Sequence, residues 1–254
     1  MLERHKTLES EREELLIRIA EFLCSCDWDS AYETILEALD EQPDSGAAWE
    51  LRALLESYLG NQHAAVASME HASLLIPLQP LASRCLALDY VAIGKTELGV
   101  ELLISLAQIH QNPIFVRRIS NDLLRLDQSA AALNVLAYAL DLSDSAILWH
   151  ELSTTLMHLG RPSFKALDAA RRAISLSPSV ASYRVTAARL LIGMDRTEDA
   201  FQIVRPISSS SLKKLECSCC LWRLIHIYNA FDCPSRVQNC YQRLRSLSEQ
   251  TECL

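Results

Sequence analysis

The sequence contains little glycine, proline or aromatic residue. Its 254 residues include 6 glycines and 8 prolines, and aromatic side chains make up 6% of the chain. No stretch alternates apolar and polar residues over the roughly four to eight positions of a half-buried strand. Half of the residues are hydrophobic, which is ample for a continuous core. The composition therefore excludes a disordered chain and predicts an all-α protein.

A long apolar run is also absent. The first fourteen residues are charged throughout, and no segment approaches the roughly 18 apolar residues that a membrane span needs. We therefore expect a cytoplasmic protein with no membrane partner. The nine cysteines are unevenly spaced, unlike a disulfide framework, and we expect them to be mostly reduced in that compartment.

The sequence has fewer basic than acidic residues. The chain carries 24 Lys and Arg against 32 Asp and Glu, a net charge of −8. The first 50 residues hold fourteen acidic and four basic residues, so the remainder of the chain is slightly basic. Affinity for a phosphate backbone comes from clustered Lys and Arg. We therefore expect no nucleic-acid partner.

What the sequence does contain is a repeat of 33 to 34 residues. Glycines mark a turn inside successive helix hairpins at Gly60, Gly94, Gly160 and Gly193, with Gln128 in the place where one glycine is missing. Small residues that allow close helix packing recur in the second helices at Ala31, Ala65, Gly99, Ala132, Ala166 and Ala200. The corresponding residues of the first helices are Ala53, Ala87, Asn121, Ser153 and Ala187. Prolines at Pro43, Pro77, Pro113 and Pro178 separate one hairpin from the next.

Two of these segments resemble the tetratricopeptide repeat consensus closely. The residues that carry the resemblance are Trp49, Ala53, Gly60, Ala65, Ala72 and Pro77, and again Trp149, Leu152, Ser153, Gly160, Ala166, Ala170, Ala173 and Pro178. The resemblance covers nearly the whole chain, as one array with repeats at about 12–45, 46–79, 80–113, 114–145, 146–179, 180–212 and 213–247. The last two repeats match less well, and 235–248 suits a capping helix. The resemblance implies an α/α right-handed superhelix, a solenoid of antiparallel helix hairpins.

In such folds the first helix of each hairpin lines the concave groove, so the resemblance indicates which side chains to consider. One register places a basic column there: Arg84, Arg118, His150 and Arg184. Further groove positions hold Tyr58, Asp122, Arg125 and His158. We expect these residues to bind an acidic or carboxylate-terminated segment of a partner protein. The alternative is that each arginine pairs with a local acid and only solvates the groove.

The same resemblance includes a chaperone-tail clamp that uses paired Lys and Asn at defined groove positions. This sequence does not match it, because Asn121 is assigned to the packing side while Leu88 and Thr154 stand at asparagine positions. The favoured function is a non-catalytic scaffold or adaptor. The alternatives are an accessory or regulatory subunit of a transferase, an RNA-binding helical repeat, and self-association through the acidic leading helix.

No catalytic centre is predicted. Gly94-Lys95-Thr96 lacks the upstream glycine of a phosphate loop, and His150-Glu151 lacks the second histidine of a zinc-protease helix. The strongest competing cluster consists of Cys217, Cys220, His226 and Cys233, with Cys219 and Cys240 nearby. We expect these cysteines to act as small apolar packing residues, with metal binding or redox sensing as the alternative. No cofactor is expected.

Overall fold

The computed structural model describes residues 2–161 and 163–251. These residues form fifteen α-helices and no strand, so the predicted all-α fold is confirmed. The helices are α1 Leu2–Cys24, α2 Trp28–Glu41, α3 Gly46–Tyr58, α4 Gln62–Leu75, α5 Pro80–Ala92, α6 Thr96–Ile109, α7 Pro113–Arg125, α8 Ser129–Leu142, α9 Ala146–His158, α10 Ser163–Leu176, α11 Ala181–Ile192, α12 Thr197–Val204, α13 Ser209–Lys213, α14 Ser218–Ala230 and α15 Pro234–Thr251. Within the described part, none of them combines the length and apolar character that crossing a membrane requires.

The helices pack as hairpins in two compact units. Unit 1, Met1–His110, contains the pairs α1/α2, α3/α4 and α5/α6. Unit 2, Gln111–Leu254, contains α7/α8, α9/α10, α11/α12 and α14/α15, with the short α13 before the last pair. Within unit 2 the first helices also contact one another in order, α7 with α9, α9 with α11, and α11 with α14. The first helices of unit 2 therefore form a layer of their own.

Each hairpin turn contains one residue in the left-handed backbone conformation. Among the described residues these are Cys26, Gly60, Gly94, Asp127, Gly160, Asp195 and Asp232. The residue after each of them donates its N–H to the carbonyl five residues earlier, as Gln128 does to Leu123 at 2.8 Å. This bond satisfies a carbonyl at the end of the first helix. The left-handed residue therefore fixes the register of each repeat.

That register corrects two predicted turns. Asp127, with φ of 58°, occupies the glycine place that the sequence analysis gave to Gln128. Asp195, also with φ of 58°, replaces Gly193, whose φ is −65°. Aspartate enters this conformation more readily than most residues, because its short side chain bonds locally. The predicted register of α7 is consequently wrong by one residue, and in α11 the residue equivalent to Arg84 and His150 is Val185 instead of Arg184.

The predicted packing role of the small residues is confirmed, with one change. Ala31, Ala65, Ala132, Ala166 and Ala200 are completely buried, and a Cβ on Gly99 would lie 2.4 Å from the carbonyl oxygen of Ala87. In the first helices, Ala53, Ala87, Ser153 and Ala187 are also completely buried. In α7 the buried residue is Ser120 instead of Asn121, which is half-buried. The 33 to 34 residue period is a requirement of close helix packing.

Unit 1 buries three carboxylates, and two of them have charged partners. Glu56 is 2% exposed and accepts hydrogen bonds from Tyr32 Oη at 2.9 Å, Arg52 Nε at 2.8 Å and Ser68 Oγ at 2.7 Å. Glu50 is 1% exposed and pairs with Arg12 at 3.0 Å. The acidic residues of unit 1 thus include groups with an internal structural role.

Candidate functional site

A cavity of about 450 Å³ opens on the first helices of unit 2. We call it the unit 2 cavity. Three successive first helices supply its lining: α7 gives Asn121, Leu124 and Arg125, α9 gives Glu151, Thr154, Thr155, Met157 and His158, and α11 gives Arg189. It therefore lies on the surface where groove residues were expected.

The repeat brings the polar lining residues together. Asn121, Thr154 and Arg189 are each the ninth residue of their helix. Arg125 and His158 are each the thirteenth. Because neighbouring hairpins stack with the same geometry, residues at one helical position form a row across the stack. Two such rows face the unit 2 cavity.

The charges around the cavity are mostly positive. Arg125, His158 and Arg189 are exposed, and within the described part of the chain no ion pair occupies either guanidinium. Glu151 is the acidic lining residue and is 7% exposed. Burial raises the pKa of its carboxyl group, opposed by the positive charge of Arg117. This lining is suited to holding an anionic group through guanidinium hydrogen bonds.

Two of the predicted site residues, Arg125 and His158, meet at this cavity. Arg118 is exposed on α7 but is not part of the lining, and the side chain of Asp122 is 3% exposed. In the corrected register the residue equivalent to Arg84 and His150 is Arg117. A turn at Gln128 instead of Asp127 shifts the predicted groove residue of α7 from Arg117 to Arg118.

His150 does not contribute a positive charge at neutral pH. Its Nε2 lies 2.9 Å from the hydroxyl oxygen of Thr186, and its ring packs on Tyr183 with centroids 4.7 Å apart. Burial, assisted by the positive charge of Arg117, lowers the pKa of His150 to about 4. The basic column expected from the sequence is therefore interrupted at α9 by a neutral side chain.

The guanidinium of Arg184 bonds to the backbone. Its Nε donates to the carbonyl of Pro178 at 3.2 Å, and its Nη1 donates to the carbonyl of Ile203 at 3.1 Å. Ile203 lies in the last turn of α12, where carbonyl groups lack helical partners. Arg184 therefore joins the start of α11 to the ends of its neighbours, and it is not among the residues that line the cavity.

The remaining predicted groove residues belong to unit 1. Tyr58 ends α3 with 69% of its surface exposed, and its ring lies 4.6 Å from that of Trp28. Arg84 is half-buried on α5. At the ninth position, which is polar in unit 2, α3 and α5 of unit 1 have Leu54 and Leu88. The two units thus present different chemistry at matching places.

Five polar lining residues are not among the predicted site residues: Asn121, Glu151, Thr154, Thr155 and Arg189. Thr154 was expected in the groove, but only as a departure from the chaperone-tail clamp. Numbering each first helix from its first residue would have placed three of them in one row. That numbering needs the helix starts, which the structure gives directly and the glycine pattern obscured. Asn121 in particular had been assigned to the packing side, and this assignment is wrong.

The C-terminal cysteines separate into two groups. Cys217, Cys219 and Cys220 bring their sulfur atoms within 4.8 Å of one another, whereas the predicted candidates His226 and Cys233 are not part of this group. Cys240 is completely buried and Cys233 packs against the core of unit 2, as expected of packing cysteines. Burial opposes ionisation of Cys217, but hydrogen bonds from the neighbouring thiols and backbone N–H groups outweigh it and lower the pKa of the thiol.

Comparison with known proteins identifies the fold. No family model and no curated protein matches the sequence. The structure is similar to the C-terminal part of a TPR repeat-containing protein from Cytophaga hutchinsonii, at 12% identity and a TM-score of 0.57, covering 91% of this chain and 94% of that chain. A tetratricopeptide repeat protein from Parabacteroides merdae is similar at 16% identity and a TM-score of 0.57, over 94% and 93% of the two chains. PilF from Pseudomonas aeruginosa is similar at 14% identity and a TM-score of 0.52, over 80% and 91%. The chain has the tetratricopeptide repeat fold.

Proposed function

We propose that this protein is a non-catalytic scaffold that binds an acidic or carboxylate-terminated segment of another protein in the unit 2 cavity. The observation that carries the proposal is the meeting of Arg125, Arg189 and His158 around one open cavity. Stacked helical repeats commonly use an extended surface of this kind to bind peptides. The lining offers cations and hydrogen-bond donors in rows that an extended segment can follow.

The distribution of charge between the units supports this choice of ligand. Residues 1–110 contain nineteen acidic and seven basic residues, a net charge of −12, whereas residues 111–254 contain thirteen and seventeen, a net charge of +4. The cavity therefore lies in the basic part of an acidic protein. A charged hydrogen bond from a guanidinium to a carboxylate contributes roughly 1.5–3 kcal/mol when water is excluded. The guanidinium groups of Arg125 and Arg189 can therefore contribute measurably to the binding free energy of a short acidic segment.

The test begins with selection from a library of displayed C-terminal peptides against the full chain. We expect enrichment of Asp and Glu near the terminal carboxylate. A selected peptide, labelled with fluorescein, is then titrated with the double variant Arg125→Glu and Arg189→Glu. Because repulsion replaces two charged hydrogen bonds, its affinity should fall at least about tenfold in fluorescence anisotropy. Enrichment of basic or purely apolar peptides would contradict the proposal.

A matched control carries the same change of charge away from the cavity. Arg171 on α10 and Arg205 after α12 are both exposed and neither lines the cavity. The variant Arg171→Glu with Arg205→Glu should bind the peptide within about twofold of the unchanged protein, because solvent and salt screen distant charges. Equal loss in both double variants would show that net charge, not the cavity, governs binding.

The same variants also test whether a second copy of this chain binds in the unit 2 cavity. The acidic leading helix of one copy could be attracted to the basic groove of another. Concentration-dependent light scattering of the unchanged protein should show a monomer if the cavity serves another protein. A dimer that Arg125→Glu with Arg189→Glu dissociates would instead assign the cavity to self-association.

A further inference from the structure

Three cysteines converge where α14 begins. Cys217 immediately precedes the helix, and Cys219 and Cys220 are the second and third residues of its first turn. Their Sγ atoms all lie within 4.8 Å of one another, and those of Cys217 and Cys219 are 2.7 Å apart. Among the described residues, these three cysteines are the group of three or more His, Cys, Asp or Glu side chains whose potential metal-ligating atoms all lie within 4.8 Å of one another.

Hydrophobic packing accounts for Cys220, which contacts the core of unit 2, but not for Cys217 and Cys219. Cys217 and Cys219 are exposed and Cys220 is half-buried. In contrast, Cys240 is completely buried in the core of unit 2. A cysteine that fills apolar space is expected to resemble Cys240. The exposed pair therefore needs another explanation.

The surroundings favour thiolates. Cys217 is the N-cap residue of α14, so the positive end of the helix dipole lies beside its thiol. One turn later, Arg223 donates from Nη1 to Cys219 Sγ at 3.8 Å. Lys214 lines an open cavity together with Cys217. Thiolates are the form of cysteine that binds metal ions.

We propose that Cys217, Cys219 and Cys220 form a site for a thiophilic d10 metal ion, Cu(I) or Zn(II). Soft thiolate ligands select these ions among the physiological metals. With metal–sulfur bonds of about 2.3 Å, two sulfurs on one ion lie roughly 3.8 Å apart, so small rotations about the exposed Cys side chains bring all three into place. Cu(I) is satisfied by three sulfurs. Zn(II) takes a fourth ligand, for which the exposed side of the site is open to water.

The experiment uses the full chain, metal-free and reduced by a phosphine under argon. Zn(II) and Cu(I) are titrated separately in competition with a chromophoric chelator. We expect binding of one ion per chain in at least one arm, and the arm that binds more tightly identifies the ion. X-ray absorption of that complex should show three sulfur ligands at about 2.3 Å. No stoichiometric binding in either arm would overturn the proposal.

Substitution locates the site. The triple variant Cys217→Ser, Cys219→Ser and Cys220→Ser should lose stoichiometric binding while keeping its helical circular dichroism. The matched control is Cys24→Ser with Cys26→Ser. These cysteines are also exposed and are also separated by one residue, but among the described residues they do not belong to a group of three potential metal ligands. The control should bind like the unchanged protein. Equal binding by the triple variant would also overturn the proposal.

Discussion

Unit 1 and unit 2 are built from the same hairpin but use their charges differently. Unit 1 encloses Glu50 and Glu56 among hydrogen-bonding partners, so that its buried charge serves the structure. Unit 2 leaves Arg125 and Arg189 exposed around an open cavity. At the ninth position of the first helix, unit 1 has leucine twice where unit 2 has Asn121, Thr154 and Arg189.

The difference shows that the repeat fixes where a side chain lies and leaves its chemistry free. Buried small residues such as Ala53 and Ser153 keep the same place in both units, because any larger group would separate the helices. The ninth and thirteenth positions do not bear that constraint. Variation at these positions can therefore alter ligand choice without altering the fold.

The largest effect on stability is expected when the buried carboxylate of Glu56 in unit 1 is removed. Glu56→Ala leaves Arg52, Tyr32 and Ser68 without their shared acceptor and should destabilise the protein by about 3–5 kcal/mol. Urea denaturation measures the loss, and hydrogen exchange should place it in unit 1.

The control for this variant is Glu37→Ala. Glu37 is largely exposed and pairs with Arg18 at 4.0 Å. Its removal should change stability by less than about 1 kcal/mol, because exposed ion pairs contribute little. Similar losses in the two variants would contradict the claim that unit 1 uses buried carboxylates as structural groups.

A second effect, specific to unit 2, depends on pH. The pKa of His150 falls from 6.5 to about 4 on folding, so the unfolded chain binds this proton more readily. Its contribution to stability is complete above about pH 6.5 and is lost as the pH falls toward 4. Relative to His150→Gln, the unchanged protein should lose about 2 kcal/mol between pH 7 and pH 5.

When the unchanged protein and His150→Gln are compared at the same pH, the contributions of all other titratable groups to the free energy of unfolding cancel. This matters because burial raises the pKa of Glu50, Asp89 and Glu151, which makes stability rise as the pH falls toward their range. His63→Gln serves as control, since His63 is exposed on α4. Urea midpoints for this control should track those of the unchanged protein at both pH values. A pH-independent difference for His150→Gln would refute the assignment of a neutral, half-buried ring.

The smallest effects on stability are expected at the hairpin turns of the two units. Unit 1 has Gly94 in the left-handed conformation, where an added Cβ would have no other atom within 4 Å, and unit 2 has Asp127 at the matching place. Gly94→Ala should cost about 1 kcal/mol through backbone strain alone. Asp127→Gly should change stability by less than about 0.5 kcal/mol, because relief of strain is offset by greater freedom of the unfolded chain. Thermal unfolding of both variants provides the measurement, and equal costs would argue against a shared turn geometry.

The sequence predicted the repeat well because packing restricts residue type. Ala65, Ala166 and Gly99 recur at a fixed interval, and the structure confirms that each is buried at a helix contact. The turns were less predictable because three residue types occupy the left-handed position: glycine, aspartate and, at Cys26, cysteine. Asp127 and Asp195 take the glycine conformation, so a search for glycine alone displaced the register of α7 by one residue.

That displacement explains most of the differences at the candidate site. Arg118 was chosen in place of Arg117, and Asn121 was assigned to packing in place of Ser120. His150 and Arg184 present another difficulty, because local partners determine their roles. Neither the Thr186 contact of His150 nor the carbonyl bonds of Arg184 follows from periodicity.

The all-α repeat and its period follow from the sequence alone, because close packing admits only small residues at fixed intervals. Which residues meet in one cavity, and which charged side chains form bonds inside the protein, follows only from the packing of the helices. The tertiary structure also gathered Cys217, Cys219 and Cys220 into one group. These outcomes depend on side-chain burial and on contacts between helices distant in sequence, which no periodic pattern contains.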